Sequence, residues 1–111
     1  MDCIFCKLSN GEIPTNIVYE NELVTAFEDV NPVAPVHTLI VPKAHLTNVL
    51  ELSDPALMAA LTEAVGKVAE IKGVKESGFR LINNCGADAG QTVMHLHIHL
   101  IGGKALGEKL I

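Results

Sequence analysis

The sequence predicts one domain of the α+β class, in which an antiparallel sheet packs against helices. Three strand-like runs, separated by short turns or prolines, lie within residues 17–42. One long helical pattern follows over residues 53–73, and two further strand-like runs lie at 79–84 and 94–101. Because the order βββαββ joins most strands by short connections, we expect antiparallel pairing, with the helices packed on one face of the sheet.

Composition restricts the classes of function. With 111 residues the chain is long enough for one core but too short for two, so we expect a single domain over residues 1–111. Apolar residues make up 49% of the chain and aromatic residues 4%, which predicts an aliphatic core. The net charge of −5 argues against a nucleic-acid partner, whose phosphates require a basic surface. A single nucleotide needs only local donors and is compatible with this charge.

Targeting signals and cysteine content bear on location. The sequence has no apolar run of membrane-spanning length and no charged start followed by an apolar block, so we expect a cytoplasmic protein with no membrane partner. In that compartment three cysteines, an odd number, are expected to be thiols or metal ligands rather than disulfides.

The first half of the chain supplies three strands. Residues 17–20 and 23–29 are strand-like runs joined by a short polar turn, which is a hairpin signal. Residues 31–35 form a rigid loop, because each of their prolines fixes its own φ and biases its predecessor toward extended backbone. Residues 37–42 are an apolar strand that we expect at the centre of the sheet, with His37 at its start.

One long amphipathic helix follows. Ser53-Asp54-Pro55 is a favourable helix start, with a capping side chain and a proline in the first turn, and Gly73 is placed to stop the helix. Between them apolar residues recur at three- and four-residue spacing: Leu57, Leu61, Ala64, Val65, Val68 and Ile71. This apolar stripe predicts a core-facing helix rather than a groove for a partner.

The last strand carries the chemistry. From Met94 to Ile101 polar and apolar side chains alternate, which is the period of a strand with one buried face. The core-facing side chains are Leu96, Ile98 and Leu100. The opposite face carries three of the five histidines of the chain, His95, His97 and His99. The alternative is a solvated face that happens to be histidine-rich, but three imidazoles in register favour catalysis or metal binding.

The loop before this strand adds donors for an anion. Gly90-Gln91-Thr92 offers a flexible backbone, an amide and a hydroxyl, which suit a phosphate group. An imidazole is a competent nucleophile toward phosphorus when one nitrogen is held protonated and the other is free. A second histidine on the same face can contact a non-bridging oxygen or protonate a leaving group. These residues predict nucleotidyl or phosphoryl transfer through a phospho-histidine, without a metal at the reacting centre.

Cys3 and Cys6 form a Cys-x-x-Cys motif with three interpretations. A redox motif would need a preceding strand and a βαβ unit, which the sequence does not supply. A structural zinc site would need two further ligands from elsewhere. The third interpretation is two half-buried thiols in a short N-terminal turn.

The segment His95-Leu-His-Ile-His-Leu-Ile101 resembles the signature of the histidine triad (HIT) family, His-φ-His-φ-His-φ-φ with φ apolar. The resemblance extends over nearly the whole chain, through residues 13–20, 26–37, 40–45 and 90–93. Within the family the chain is most similar to the nucleotide-binding Hint branch and its bacterial relatives. The resemblance implies a HIT-like fold with a sheet of about five strands, one long helix and one or two short ones. It also implies a homodimer that binds a purine nucleoside monophosphate and hydrolyses 5′-phosphoramidates such as adenosine 5′-monophosphoramidate.

The resemblance further implies roles for individual residues. His97 matches the nucleophile of the family, which forms a nucleotidyl-histidine intermediate, and His99 matches the histidine near the phosphate. His37 matches a histidine that completes a hydrogen-bond relay, and Thr92 takes the place of a hydroxyl residue that helps the leaving group. The residues matching nucleotide contacts are Phe27, Asp29, Val30, Asn84, Gly90 and Gln91, together with Thr92, His97 and His99. The structural alternatives are a core Phe27, a turn Asp29 and a core Val30.

The chain departs from the eukaryotic Hint pattern in two ways. It has no tryptophan, whereas those proteins end in a tail whose tryptophan reaches the site of the partner, so its leaving-group preference is open. Its Cys3 and Cys6 resemble a subset of bacterial members in which two cysteines and two histidines bind structural zinc, and the matching histidines here are His45 and His95. The alternative is a reduced pocket without metal.

Other functions compete with phosphoramidate hydrolysis. One is hydrolysis of dinucleoside polyphosphates, as in the Fhit branch, and another is a nucleotide-binding regulatory module with vestigial activity. A third is metal binding by the three-histidine face. The physiological substrate and its leaving group are not encoded in any motif, because a small pocket selects the nucleotide and leaves the other half of the substrate open.

Overall fold

Five antiparallel strands form one sheet in residues 3–111, the part of the chain that the structure, a computed structural model, describes. In chain order the strands are β1 (Ile17–Glu20), β2 (Val24–Glu28), β3 (Val36–Pro42), β4 (Phe79–Ile82) and β5 (Ile98–Gly102). The helices are α1 (Ile4–Ser9) and α2 (Pro55–Ile71), with 3-10 turns at Val49–Glu51 and Ala87–Ala89. The strand order in space is β1-β2-β3-β5-β4, so the predicted antiparallel α+β architecture is confirmed.

The hairpin and the central strand form as the sequence predicts. The Asn21 side chain closes the turn between β1 and β2 by accepting hydrogen bonds from the backbone N–H groups of Leu23 (3.0 Å) and Val24 (2.9 Å). β3 pairs with β2 on one side and with β5 on the other, and all seven of its residues are buried. His37, on β3, is thereby held inside the sheet close to β5.

Helix α2 covers one face of the sheet. Asp54 caps its N-terminus by accepting a hydrogen bond from the backbone N–H of Ala56 at 3.0 Å, and Pro55 occupies the first turn. Gly73 follows the helix with a φ of 73°, a left-handed conformation that favours glycine. The core on this face is a single cluster that includes Val24, Ala26, Ile40, Leu57, Leu61, Ala64, Val68 and Leu100. The predicted start and stop of the helix are confirmed. Of the predicted apolar stripe, Leu57, Leu61, Ala64 and Val68 are buried in the core and Val65 is partly buried, but Ile71, the last residue of the helix, is 56% exposed.

The short helix α1 covers the opposite face, which corrects the expectation that the helices pack on one side. Its Phe5 forms a second cluster with Phe27 of β2 and with Leu39 and Val41 of β3. Because side chains alternate along a strand, Leu39 and Val41 point away from Ile40, which faces α2. Both faces of the central strands are apolar, so both need a cover.

The histidine strand is shorter than the alternation suggests. Regular pairing covers only Ile98–Gly102, and residues 95–97 lead into it. There the backbone N–H of Leu96 donates to the carbonyl of Leu46 (2.7 Å), in the segment after β3, instead of to a neighbouring strand. Burial does not alternate along this segment: His95, Leu96, His97 and Leu100 are buried, whereas Ile98 and His99 are partly buried. No helix within residues 3–111 is long and apolar enough to span a bilayer.

Candidate active site and metal centre

His97 is oriented by a backbone carbonyl. Its Nδ1 lies 2.7 Å from the carbonyl oxygen of His95, and since a carbonyl can only accept, Nδ1 carries the proton. The neutral ring therefore keeps the lone pair on Nε2. His97 is buried but borders an open cavity, so this lone pair belongs to a side chain that combines a fixed tautomer with access to a ligand. This is the state that an imidazole nucleophile requires.

His99 is connected to His37 through a second chain of hydrogen bonds. The backbone N–H of Val33 donates to His37 Nδ1 (3.1 Å), which leaves the proton of a neutral His37 on Nε2. That Nε2–H donates to His99 Nδ1 at 2.9 Å, so the proton of His99 lies on its own Nε2. Asp29 Oδ2, 3.4 Å from His37 Nε2, is a second and longer acceptor for the same proton. The relay thus presents a donor on His99, beside the lone pair of His97.

The surroundings of His99 favour its neutral form. Burial, followed by the neighbouring positive charges that His97 and His37 would carry, lowers the pKa of His99 below its ordinary value of 6.5, and Asp29 only partly opposes this. The rings of His97 and His99 are 5.1 Å apart between centroids, so two charged imidazoles would repel. At neutral pH His99 is therefore available in the tautomer that its hydrogen bond to His37 defines.

A cavity of about 560 Å³ opens in front of these histidines, a volume typical of small-molecule sites. Its polar side is formed by Asp29, Thr92, His97 and His99. Its apolar wall is formed by Ile4, Phe5, Leu8, Phe27, Leu39 and Val93. The combination of an apolar wall with a few convergent polar groups suits a flat heterocycle attached to a polar, anionic group.

The structure brings together most of the residues matched to nucleotide contacts. Phe27, Asp29, Val30 and Thr92 border the cavity together with His97 and His99. Val30 is 87% exposed, which excludes the alternative of a core valine, whereas Phe27 is buried and packs in the core as well. Asp29 lies in a turn, where its Oδ1 accepts from the backbone N–H of Asn31 (2.7 Å), and its Oδ2 lies 3.4 Å from His37 Nε2, while its contact with a ribose stays a prediction.

The other three matched residues lie in the loop behind the cavity rather than on its lining. Gln91 is buried, and its amide is engaged within the loop: Oε1 accepts from the backbone N–H of Gly86 (2.9 Å), while Nε2 donates to the carbonyls of Thr47 (2.8 Å) and Val93 (3.1 Å). Gly90 ends the 3-10 turn in a left-handed conformation, with φ of 83°. Asn84 is half-buried in the segment after β4. Their ligand contacts stay predictions.

Two residues that contact His97 were not predicted from the sequence. Asn83 Nδ2 donates to the backbone carbonyl of His97 at 2.9 Å, and Phe5 packs its ring edge-on against His97 with centroids 5.0 Å apart. The signal for Phe5 was its position as an apolar residue between two metal-ligand candidates. Asn83 carried no signal that distinguished it from Asn84, because both follow the strand and have the same side chain.

The first triad histidine lies in a second cluster, whose members come from distant parts of the chain: Cys3, Cys6, His45 and His95. Their ligand atoms all lie within 4.8 Å of one another. Cys6 Sγ is 3.3 Å from His45 Nδ1, and Cys3 Sγ and Cys6 Sγ are each 3.4 Å from His95 Nδ1. Helix α1 supplies the two sulfurs, since Cys3 caps its N-terminus and Cys6 lies one turn later. The four predicted ligands are thus brought together.

The chemistry of this group fits a metal ion. The Nε2–H of His95 donates to the carbonyl of Pro42 (2.8 Å), which leaves the Nδ1 lone pair directed at the sulfurs, as in metal-bound histidines. Burial lowers the pKa of His95, so the ring is neutral and able to coordinate. Burial, and then the hydrogen bond and charge of Cys3, raise the pKa of the Cys6 thiol to about 11. A thiolate there needs a cation, and the four residues can hold a metal ion.

A second group of possible ligand atoms, on Asp29, His37 and His99, lies in the relay. Here the nitrogens are already engaged, because His37 accepts at Nδ1 from Val33 and donates from Nε2 to His99 Nδ1. A neutral His37 has no lone pair left for a metal. Hydrogen bonding therefore accounts for this group, and metal binding by the triad face is not favoured.

Comparisons with known proteins agree with this geometry. Residues 10–106 match the model of the HIT domain. The purine nucleoside phosphoramidase of Escherichia coli K12 is 45% identical over 112 aligned residues, which cover 98% of this chain and 93% of that protein. An uncharacterized HIT-like protein of Synechococcus elongatus is 48% identical over 107 residues, covering 95% of this chain and 93% of that protein.

Solved structures give the same result. A HIT family hydrolase from Clostridium thermocellum superposes with a TM-score of 0.94 at 49% identity, covering 99% of this chain and 97% of that one. A histidine triad protein from Clostridium difficile superposes with a TM-score of 0.92 at 49% identity, covering 98% and 96% of the two chains. With the triad, its relay and the cavity in place, the chain belongs to the HIT family and is a hydrolase of that family.

Proposed function

We propose that the protein hydrolyses purine nucleoside 5′-phosphoramidates, such as adenosine 5′-monophosphoramidate, through a nucleotidyl-histidine intermediate on His97. The observation that carries the proposal is the hydrogen bond from His97 Nδ1–H to the carbonyl of His95, which leaves Nε2 unprotonated at the cavity. The similarity to the Escherichia coli protein named purine nucleoside phosphoramidase supports this substrate class.

In the first half-reaction His97 Nε2 attacks the phosphorus and the P–N bond breaks. The leaving nitrogen departs as an amine. Its additional proton comes from water through the hydroxyl of Thr92, which is exposed and borders the cavity, and the hydroxide left behind is neutralised by the proton that the second half-reaction releases. The nucleotidyl group then sits on an imidazolium, whose Nδ1–H stays bonded to the His95 carbonyl. In the second half-reaction water attacks the phosphorus, and nucleoside monophosphate, a proton and neutral His97 are released.

His99 and the relay stabilise charge during both steps. The relay places a proton on His99 Nε2, where it can donate to a non-bridging phosphate oxygen as negative charge grows. Because His37 is oriented by a backbone N–H, the donor on His99 is fixed before the substrate arrives. His37 is a positioning residue in this scheme, whereas His97, His99 and Thr92 contact the reacting groups.

We place the nucleoside against the apolar wall. The purine would lie beside Phe27 and Val30, with the ribose hydroxyls near the Asp29 carboxylate. The loop beside the phosphate and the ribose would be formed by Asn84, Gly90 and Gln91. Since the Gln91 amide is already engaged within the loop, its contribution would be to keep the backbone before Thr92 in shape.

We further propose that the metal is zinc with a structural role. Bonds of about 2.3 Å to sulfur and about 2.1 Å to nitrogen at the tetrahedral angle place S and N atoms about 3.6 Å apart. The separations of 3.3 Å and 3.4 Å between Cys6 Sγ and the two imidazole nitrogens are close to this value. A Cys₂His₂ set is closed and leaves no position for substrate, so zinc would tie α1 to the sheet while the triad performs the reaction.

Three wider proposals accompany this function. A single HIT domain spans residues 1–111, and the protein works in the cytoplasm, where cysteines that form no disulfide, such as Cys3, Cys6 and Cys85, are stable. It forms a homodimer. The dimer is supported by large apolar side chains that are exposed, Leu81 on β4 among them, and by the position of β4 at one end of the described sheet.

The test is a substrate panel with wild-type protein and His97→Ala. Adenosine 5′-phosphoramidates should be hydrolysed much faster than diadenosine polyphosphates, and His97→Ala should lose turnover by at least about 10³-fold while it retains nucleoside monophosphate binding. Wild-type protein trapped with labelled substrate should carry an acid-labile nucleotide, and peptide mapping should find this nucleotide on His97. A preference for the polyphosphates would replace the proposed substrate class, and tight nucleotide binding without turnover would indicate a regulatory module. Label on His95 or His99 would refute the assignment of the nucleophile.

A further inference from the structure

Phe5, which forms part of the apolar wall of the cavity, also packs against the proposed nucleophile. It lies between Cys3 and Cys6 on α1, and its ring meets three others: His97 at 5.0 Å with an interplanar angle of 87°, Phe27 at 5.6 Å and 78°, and His95 at 6.1 Å and 67°. These are edge-on contacts within the favourable range for aromatic pairs. Phe5 is buried, so these neighbours fix its ring in turn.

His97 needs more than its hydrogen bond to be oriented. The bond from Nδ1–H to the His95 carbonyl fixes one ring atom but leaves the ring free to tilt about that atom. Phe5 and His99 both meet the His97 ring steeply, at 87° and 64°, with centroid distances of 5.0 Å and 5.1 Å. These contacts restrict the tilt, and the tilt determines where the Nε2 lone pair points.

We propose that Phe5 is a positioning residue for the nucleophile: its ring restricts His97 to the orientation in which Nε2 faces the phosphorus. This inference rests on the proposed function, since it concerns the reaction that His97 performs. Phe5 acts through His97 and takes no part in bond making. Its loss should therefore lower kcat, because a small misplacement of a reacting atom is costly to the rate.

The kinetic test uses Phe5→Leu, which keeps an apolar side chain but removes the aromatic edge. We expect kcat to fall by about 10- to 100-fold, with KM changed by less than about threefold. Phe5→Tyr, which keeps the ring, should restore most of the rate. The matched control is Val41→Ala, which removes apolar volume from the same buried cluster as Phe5. Its kcat should stay near that of wild type.

A second readout does not depend on activity. In the unliganded protein the His97 Nδ1 proton should exchange slowly with water and give a distinct ¹⁵N-coupled NMR signal. Phe5→Leu should broaden or abolish this signal, while Val41→Ala and Phe5→Tyr should retain it. If Phe5→Leu does not fold, Phe5→Met, with a longer side chain but no ring, takes its place in both measurements.

The outcomes separate this inference from the proposed function. If wild-type protein hydrolyses phosphoramidates but Phe5→Leu keeps both kcat and the ring-proton signal, Phe5 has no positioning role and the proposed function stands. If Phe5→Leu and Val41→Ala lose kcat equally, Phe5 contributes only packing and the inference is again overturned. If wild-type protein does not hydrolyse phosphoramidates, the proposed function fails, and the ring-proton comparison alone decides whether Phe5 orients His97.

Discussion

Backbone groups, rather than carboxylates, define the tautomers of the histidines in this site. The carbonyls of Pro42 and His95 fix the proton on one nitrogen of His95 and of His97, and the backbone N–H of Val33 does so for His37. A backbone group does not titrate, so these assignments do not change with pH as long as each ring is neutral. The lone pairs are consequently directed by the fold itself, one toward the metal centre and one toward the cavity.

At this scale the pH profile is a direct test. His99 must be neutral to accept the His37 proton at Nδ1, and burial lowers its pKa below 6.5. Activity should therefore persist as the pH falls to 6.5 and decline only at lower pH, where His99 becomes charged beside His97, His37 and Asp29. The measurement is kcat/KM against pH with a phosphoramidate substrate, with thermal melts at each pH as a control for folding. An acidic limb with its midpoint above 6.5 would contradict the tautomer assignment.

The same lowered pKa has a consequence for stability with a definite sign. The unfolded chain protonates His99 near pH 6.5 and the folded chain only below that, so between the two values the unfolded state binds more protons. The contribution of neutral His99 to folding is thus complete above pH 6.5 and is lost as the pH falls through the folded pKa. Melting temperatures should decline within that window, starting near pH 6.5 and so before activity falls at the lower folded pKa of His99.

Among the elements, α1 depends most on contacts outside itself. It has only six residues, too few for a helix to be stable in isolation. It is attached through Phe5 in the core and through Cys3 and Cys6 in the cluster of candidate metal ligands. Because Ile4, Phe5 and Leu8 form part of the cavity wall, the same attachment determines the shape of the cavity.

Metal removal should therefore act mainly on stability. Metal binding to such a site contributes folding free energy, and a loss of about 2–3 kcal/mol corresponds to a decrease in Tm of roughly 10 °C for a domain of this size. We expect chelation, or the double substitution Cys3→Ser/Cys6→Ser, to cause this decrease. Activity at a temperature where the protein stays folded should fall less.

Cys85 provides the matched control for this experiment, because it lies outside the cluster of ligand atoms. Cys85→Ser should keep one metal per chain by elemental analysis and a Tm near that of wild type. Purified wild-type protein without stoichiometric zinc, or a double variant with unchanged metal content and Tm, would be incompatible with the proposed centre.

Local sequence signals predicted most of the elements, and the misses share a cause. The strand-like run of β1, the cap at Asp54 and the stop at Gly73 lie within a few residues of what they determine, so the strands and α2 were predictable. Helix α1 was not, because its two cysteines reach ligands about 40 and 90 positions away. Nor could alternation alone indicate that residues 95–97 pair with the segment after β3 instead of continuing the strand.

The same distinction applies to the site. The triad and the four metal ligands were predictable because they lie in recognisable motifs, and the structure places the ligands together. The tautomers of the histidines were not predictable. They depend on the backbone carbonyl of Pro42 and the backbone N–H of Val33, and the residue types at these two positions do not indicate which histidine their backbone contacts. The choice between Asn83 and Asn84 depends on the residue at which β4 stops, which periodicity does not determine to one position.

For the whole molecule, the assembly state is the property to measure. Large apolar side chains are exposed around the described surface, among them Leu50, Leu81 and Met94, and β4 has a single neighbouring strand in the described sheet. Covering such surfaces favours association. Sedimentation at micromolar concentration should give about twice the chain mass of 11.8 kDa. A species of one chain mass across that concentration range would rule out a stable dimer.

The pairing of β3 with β5 has a consequence for the synthesis of the protein on the ribosome. His37 and His99 are 62 positions apart, and Cys3 and His95 are 92 positions apart. Synthesis adds β5 last among the strands, so a nascent chain carries Cys3, Cys6 and His45 for most of its elongation without the ligand and the strand that complete either site. A nascent chain that has not reached residue 95 lacks His95, the fourth candidate metal ligand, and His97, the proposed nucleophile. We therefore expect both sites to form only once β5 has been synthesised.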